Sequence, residues 1–125
     1  MSAAEWFEVS LIAGGNSLTG FAILFSMISG YMVVAYAAGQ SLTTFQVSLA
    51  NTVYVVGCLF MVFSNYSHVR DAIVARQQAV SMVAEISPGV GLMPATWAGI
   101  SGAIYCSFVI GSVVFMWQVR HSKSG

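Results

Sequence analysis

Apolar positions dominate two long uncharged stretches of the chain. The first stretch runs from Val9 to Val69 and the second from Ile86 to Val119. A helix needs about 20 apolar residues to cross roughly 30 Å of lipid tails, so the first stretch has room for two crossings and the second for one. We therefore predict an all-α integral membrane protein that consists of a single membrane domain with three transmembrane helices.

Capping residues and glycines indicate where the predicted helices begin and end. Ser2 and Glu5 have the spacing of a capping box, as do Thr43 and Gln46, and Gly14-Gly15 interrupts the apolar pattern after the first of these boxes. These signals predict three elements. They are an interfacial helix over residues 1–15, a first span over residues 16–38 and a second span over residues 45–67.

The region after the second span has an amphipathic pattern. Over residues 68–86, polar residues gather on one side of a helix at about 100° per residue and apolar residues fill the remainder. Proline is absent from Phe45 until Pro88, so one continuous helix can extend through both regions. Arg76 lies in the middle of the apolar face. We expect this face to contact a partner or lipid through Arg76, Ile73, Val80 and Val83.

Tryptophan residues delimit the third span. Trp97 and Trp117 bracket uncharged residues and lie about 30 Å apart along a helix, which matches the separation of two aromatic belts. The third span is therefore predicted over residues 97–117, followed by a tail over 118–125, and Trp6 is a further membrane-interface anchor. Three crossings place the termini on opposite sides, and the short acidic start favours an amino terminus outside and a carboxyl terminus in the cytoplasm.

Small residues recur every fourth position in the third span. Such residues let two helix backbones approach closely, so the stripe indicates close helix packing. The neighbour is either spans 1 and 2 of the same chain or another protomer or partner. A shorter stripe of the same kind in span 1 is placed to face the stripe of span 3. The residues are Ala95, Gly99, Ala103, Ser107 and Gly111, with Gly102 adjoining, and Ala22, Ser26 and Gly30 in span 1.

Composition and charge exclude several classes of function. Charged residues make up 6% of the chain, against about 25% in soluble domains, and the formal net charge is zero, which disfavours nucleic-acid binding. The spans carry no carboxylate, lysine, arginine or histidine well inside the hydrocarbon, and a coupled transporter usually requires such a residue. Catalytic triads, phosphate-binding loops and metal-ligand clusters are also missing, so we predict no enzyme, no cofactor and no metal site.

The few polar and sulfur-containing residues near or within the spans are expected to have structural roles. Asn51 is expected to hydrogen-bond to Tyr36 or Ser112, most simply as a structural link between helices. His68 and His121 fall at opposite faces of the bilayer, which excludes a haem held by both histidines in one protomer. Cys58 and Cys106 lie at similar depth, where small-residue packing is their expected role.

One segment of the chain resembles a known group of proteins. Residues 30–46, GYMVVAYAAGQSLTTFQ, resemble the end of span 1, the turn and the start of span 2 in small three-span bacterial membrane proteins of uncharacterised function. The resemblance implies three helices in a bacterial inner (plasma) membrane. It carries no activity and no binding residues.

The sequence thus predicts a small non-enzymatic membrane protein that acts through assembly. The expected partners are membrane lipids, further copies of the chain in a homo-oligomer, and other membrane subunits to which it is an accessory or scaffold. One alternative is a pore-forming or membrane-permeabilising protein similar to phage holins, although the tail lacks their strong charge. A further alternative is a lipid- or quinone-binding subunit with a groove lined by Tyr and Met.

Overall fold

The structure of the protein, a computed structural model, describes residues 1–83 and 96–122. Over these residues it forms three α-helices, which are α1 (Ala3–Ala38), α2 (Thr44–Val83) and α3 (Thr96–His121). All three helices are long and apolar enough to cross a membrane. The prediction of an all-α chain with three such helices is confirmed.

Helix α1 starts at the predicted capping box and runs without interruption through both glycines. The Ser2 hydroxyl accepts a hydrogen bond from the Glu5 backbone N–H, and the Glu5 carboxylate accepts one from the Ser2 backbone N–H. The separate interfacial helix predicted for residues 1–15 is corrected, since these residues form the first turns of α1. A glycine costs a helix about 1 kcal/mol relative to alanine, and the packing of α1 on α2 on both sides of Gly14-Gly15 outweighs this cost.

A tight turn joins α1 to α2. The N–H groups of Ser41 and Leu42 both donate to the Ala38 carbonyl, over distances of 2.9 Å and 3.2 Å. A Cβ at Gly39 would collide with the carbonyl oxygen of Ala35, so this position requires glycine. The second predicted capping box is confirmed: the Thr43 N–H donates to the Gln46 side chain at 2.9 Å and the Gln46 N–H to the Thr43 hydroxyl at 3.2 Å.

Helix α2 continues past the predicted second span as a single helix. Residues 68–83 extend α2 and form no separate amphipathic helix, while residues 84–86 of the predicted extension lie outside the described part of the chain. The apolar face of the extension is buried in the protein through Ile73, Ala75, Ala79 and Val80. The extension therefore uses much of this face within the chain itself.

Helices α1 and α2 form a long antiparallel hairpin with one register along its length. The Ser10 hydroxyl donates to the Ala72 carbonyl at 3.1 Å, and the Asn65 amide donates to the Ser17 carbonyl at 2.7 Å. Nearer the turn, the Tyr31 hydroxyl donates to the Asn51 side chain. The two residue numbers in each pair add to the same total, as expected for two straight helices that pack without a slip.

Helix α3 packs against one side of this hairpin and is shorter than either of its helices. It is about 39 Å long at 1.5 Å per residue, compared with about 54 Å for α1 and 60 Å for α2. The start of α1 and the end of α2 therefore extend beyond the first turn of α3. The three helices share one apolar core, formed by Leu24, Tyr31, Ala35, Val47, Tyr54, Cys58, Val62, Val109 and Met116.

We predict that Asn65→Ala destabilises the hairpin. The Asn65 side chain is almost fully buried and bonds to α1, and interhelical hydrogen bonds in membranes contribute about 0.6 to 2 kcal/mol. The expected loss of unfolding free energy is about 1 kcal/mol, measured by titration with a denaturing detergent. Thr52→Ala is the matched control, because the Thr52 hydroxyl donates only within α2. Equal losses for the two variants would contradict this role of Asn65.

We also predict that acid loosens the first turn of α1. Hydrogen bonds from Ser2 lower the pKa of the Glu5 carboxyl below its ordinary value of 4.5. A carboxyl whose pKa is lower in the folded state stabilises that state above its unfolded pKa, and this contribution disappears as the pH falls through the folded pKa. The amide NMR signals of Ser2 and Glu5 should report the change. In Glu5→Gln these amide signals should not shift with pH. A shift that persists in this variant would show that protonation of the Glu5 carboxyl is not the cause.

Candidate functional site

A cluster of tyrosine, asparagine and serine side chains connects the three helices in the middle of the bundle. The rings of Tyr31 and Tyr54 stack with centroids 3.9 Å apart and planes 9° apart. The Tyr31 hydroxyl donates to Asn51 Oδ1 at 2.5 Å, and the oxygens of Tyr54 and Ser112 lie 2.6 Å apart. This pair of hydrogen bonds links α1 to α2 and α2 to α3.

The cluster corrects the expected partners of Asn51. Asn51 bonds to Tyr31 instead of Tyr36 or Ser112, and Tyr36 is 79% exposed. The register of the hairpin explains the difference, because it places Asn51 opposite Tyr31 and leaves Tyr36 on the outer face of α1. Ser112 instead faces Tyr54.

The buried polar atoms of the cluster are already used in hydrogen bonds within the protein. The Ser112 hydroxyl is also within 2.7 Å of the Val109 carbonyl, and no buried side-chain nitrogen or oxygen among residues 1–83 and 96–122 is without a hydrogen bond. Cys58 lies buried one turn from Tyr54, and Cys106 is half-buried. The cluster therefore holds the helices together and leaves interaction to the outer surfaces.

The small-residue stripe of α3 lies on the outside of the protein. Gly99, Ala103, Ser107 and Gly111 are exposed and Gly102 is half-buried, while Ala95 lies outside the described residues. A Cβ placed at either Gly99 or Gly111 would have no atom within 4 Å. The stripe thus does not pack on α1 or α2 of its own chain. The buried residues of α3 lie on nearly the opposite side at about 100° per residue; they are Ala98, Val109, Ser112 and Met116.

The shorter stripe of α1 is also exposed. Ala22, Ser26 and Gly30 all lie at the surface, and a Cβ at Gly30 would meet nothing within 4 Å. The Ser26 hydroxyl donates to the Ala22 carbonyl of its own helix at 2.9 Å. The two stripes therefore do not face each other within one chain.

The predicted contact residues of the α2 extension differ in exposure. Ile73 and Val80 are buried at 5% and 9% exposure, and Val83 is half-buried. Arg76 is exposed. Ile73 and Val80 therefore lie mostly against the rest of the chain, and Arg76 is the exposed member of the set.

The predicted anchors and histidines lie near the helix ends. Trp97 and Trp117 are exposed on the first and last turns of α3, and Trp6 is half-buried near the start of α1. Trp117 stacks with His121 at a centroid distance of 4.7 Å, and His121 Nδ1 lies 2.8 Å from the Trp117 carbonyl oxygen. Over the described part of the chain, no three His, Cys, Asp or Glu side chains are grouped so as to hold a metal ion.

Comparisons with known proteins give no relative from which a function can be transferred. The chain matches no protein-family model, no curated protein and no solved structure. Functional inference therefore depends on the residues and surfaces of the chain itself.

Sequence reasoning overlooked Asn65, which is the most deeply buried polar side chain of the hairpin. Its amide nitrogen lies 3.2 Å from where a Cβ of Gly20 would stand, and its oxygen lies 3.4 Å from the Ser17 hydroxyl. A serine and a glycine three residues apart in α1 make room for this amide. That spacing was the available signal, but it identifies a partner only once the register of the hairpin is known.

We predict measurable coupling between Tyr54 and Ser112. In a double-mutant cycle of Tyr54→Phe and Ser112→Ala, loss of their hydrogen bond should give a coupling free energy of about 1 kcal/mol, measured by detergent unfolding. A cycle of Tyr54→Phe with Ser107→Ala is the control, because the exposed Ser107 hydroxyl donates within α3. Its coupling should be near zero. A Tyr54–Ser112 coupling as small as that of the control would show that the contact adds nothing to helix packing.

Proposed function

We propose that this chain crosses its membrane three times and acts as a non-enzymatic subunit of a membrane assembly, as a homo-oligomer or as an accessory or scaffold subunit. The observation that carries the proposal is the outward-facing stripe formed by Gly99, Ala103, Ser107 and Gly111. These residues cover about 18 Å of helix length at 1.5 Å per residue. A contact surface of this length suits one helix of another subunit.

The physics of helix association in lipid supports this use of the stripe. Lipid tails are as apolar as leucine side chains, so helices associate through close packing and hydrogen bonds and not through the hydrophobic effect. Larger exposed side chains on α3, including Ile100, Ile104 and Ile110, border the small residues. The result is a shallow groove along the outer side of α3, where the backbone of a second helix can approach.

The exposed residues of the stripe do not pack against α1 or α2 of their own chain. Helix α3 already contacts the hairpin through the opposite face, where Tyr54 meets Ser112. The small residues themselves present little side-chain surface to lipid, in contrast to the larger exposed residues beside them. A neighbouring helix from another subunit gives these residues a packing partner.

We further propose a bacterial inner membrane as the location, with the amino terminus outside and the carboxyl terminus in the cytoplasm. The likeness of residues 30–46 to small bacterial three-span proteins supports the location.

We predict that Ala103→Leu and Ser107→Leu dissociate the assembly. A leucine in the groove prevents close backbone approach, and overpacking of this kind costs about 1 to 3 kcal/mol, which corresponds to a loss of affinity of about fivefold or more. The measurement is the size of the complex on native gels after extraction from native membranes in mild detergent. Both positions are exposed, so the single chain should keep its fold and its helical circular dichroism.

Ser48→Leu is the matched control for Ser107→Leu. Ser48 is also exposed, but it lies on α2. This variant should retain the complex of the wild-type protein. The proposal is contradicted if both stripe variants remain fully assembled, or if Ser48→Leu dissociates the complex as strongly as Ser107→Leu.

A further inference from the structure

A large apolar cavity lies where α3 begins beside the hairpin. Its volume is about 570 Å³, within the usual range of about 300 to 1,000 Å³ for small-molecule sites. Residues from all three helices line it. They include Gly14, Gly15 and Leu18 of α1, Ile73 and Arg76 of α2, and Trp97 of α3.

The two adjacent glycines of α1 leave the cavity open. A Cβ at Gly14 or Gly15 would have no atom within 4 Å, so no neighbouring group fills the space that a side chain would occupy. Gly14 and Gly15 therefore have a role although they do not interrupt α1. They keep the wall of the cavity free of side chains.

Most polar groups in the cavity wall are already engaged within the protein. The Ser10 hydroxyl donates to the Ala72 carbonyl, the Ser17 hydroxyl to Asn65, and the Ser101 hydroxyl to the Ala98 carbonyl. Two strong donors in the wall are different. Among the described residues, neither the Arg76 guanidinium nor the Trp97 indole N–H has a hydrogen-bond or ion-pair partner.

These two donors line the same cavity, at the end of the bundle where the sequence predicts a membrane interface. Trp97 starts the uncharged part of α3, and Arg76 lies just beyond the charged residues that follow the second span. Tryptophan is enriched at the membrane interface, and an arginine near it attracts anionic headgroups. The cavity therefore has an apolar interior for a chain and a cationic group for a phosphate at the same interface.

We infer that this cavity binds one anionic phospholipid. An acyl chain occupies the apolar space beside Gly14 and Gly15, and the lipid phosphate accepts hydrogen bonds from the Arg76 guanidinium and the Trp97 indole N–H. The positive charge of Arg76, which no carboxylate among residues 1–83 and 96–122 neutralises, favours an anionic lipid over a zwitterionic one. This site is separate from the stripe of α3 and does not depend on the proposed assembly.

Fluorescence quenching of Trp97 tests the site directly. The full-length protein carries Trp6→Phe and Trp117→Phe so that Trp97 is its sole tryptophan, and it is titrated in mild detergent with brominated phosphatidylglycerol or brominated phosphatidylcholine. One arginine near a membrane surface contributes about 1 kcal/mol, so half-maximal quenching should need about fivefold less phosphatidylglycerol than phosphatidylcholine. In Arg76→Gln the two lipids should quench at similar concentrations.

Two further variants make the result decisive. Arg70→Gln removes an exposed charge of the same helix that does not line the cavity, so it should keep the preference for phosphatidylglycerol. Gly15→Leu should fill the cavity and weaken quenching by both lipids, while circular dichroism shows intact helices. The inference is overturned if both lipids quench Trp97 at equal concentrations in the protein with Trp6→Phe and Trp117→Phe. It is also overturned if Arg70→Gln loses the preference for phosphatidylglycerol as fully as Arg76→Gln does, or if Gly15→Leu leaves both titrations unchanged.

Discussion

The antiparallel pairing of α1 with α2 at one fixed register is the constraint on which the rest of the structure depends. Side-chain hydrogen bonds from Ser10, Asn65 and Tyr31 link the two helices over more than half of their length. In lipid, such bonds and close packing take the place of the hydrophobic effect between helices. The register decides which residues face α3, and so which residues are left outside.

Helix α3 shows this consequence most clearly. The hairpin presents Tyr54 to α3, and Ser112 turns inward to meet it. Since α3 is a regular helix, this contact rotates Gly99, Ala103 and Ser107 to the outside. Because α3 is also the shortest helix, its first turn leaves a gap beside Gly14-Gly15, and this gap is the cavity with Arg76 and Trp97 in its wall.

The three long apolar helices and most of their ends were predictable from sequence, because uncharged runs and capping boxes are local signals. The Ser2–Glu5 and Thr43–Gln46 boxes needed only residues three apart. The glycines at positions 14 and 15 led to the wrong prediction of a helix break, because that prediction also used only local residues. The free-energy cost of the two glycines is outweighed by contacts between α1 and α2, which the local sequence does not reveal. Residues 68–83 continue α2 as one helix, and Ile73 and Val80, which the sequence pattern assigned to an outer contact face, are buried within the chain.

The residues of the α3 stripe were predictable from the sequence, but the direction in which they face was not. The four-residue spacing identified the stripe of α3, yet spacing cannot tell whether a stripe faces its own chain or the outside. That choice depends on which face of α3 meets Tyr54. The partner of Asn51 was missed similarly, because alignment of the spans by their ends did not give the register that brings Tyr31 to Asn51.

Native mass spectrometry of the tagged wild-type protein, extracted from its own membranes in mild detergent, tests most directly whether the chain works by assembly. We expect a complex of defined stoichiometry, made of several copies of this chain or of this chain with other membrane subunits. The first composition would identify a homo-oligomer and the second an accessory subunit. A protein that leaves the membrane only as a monomer, with lipid but no other chain, would contradict the account.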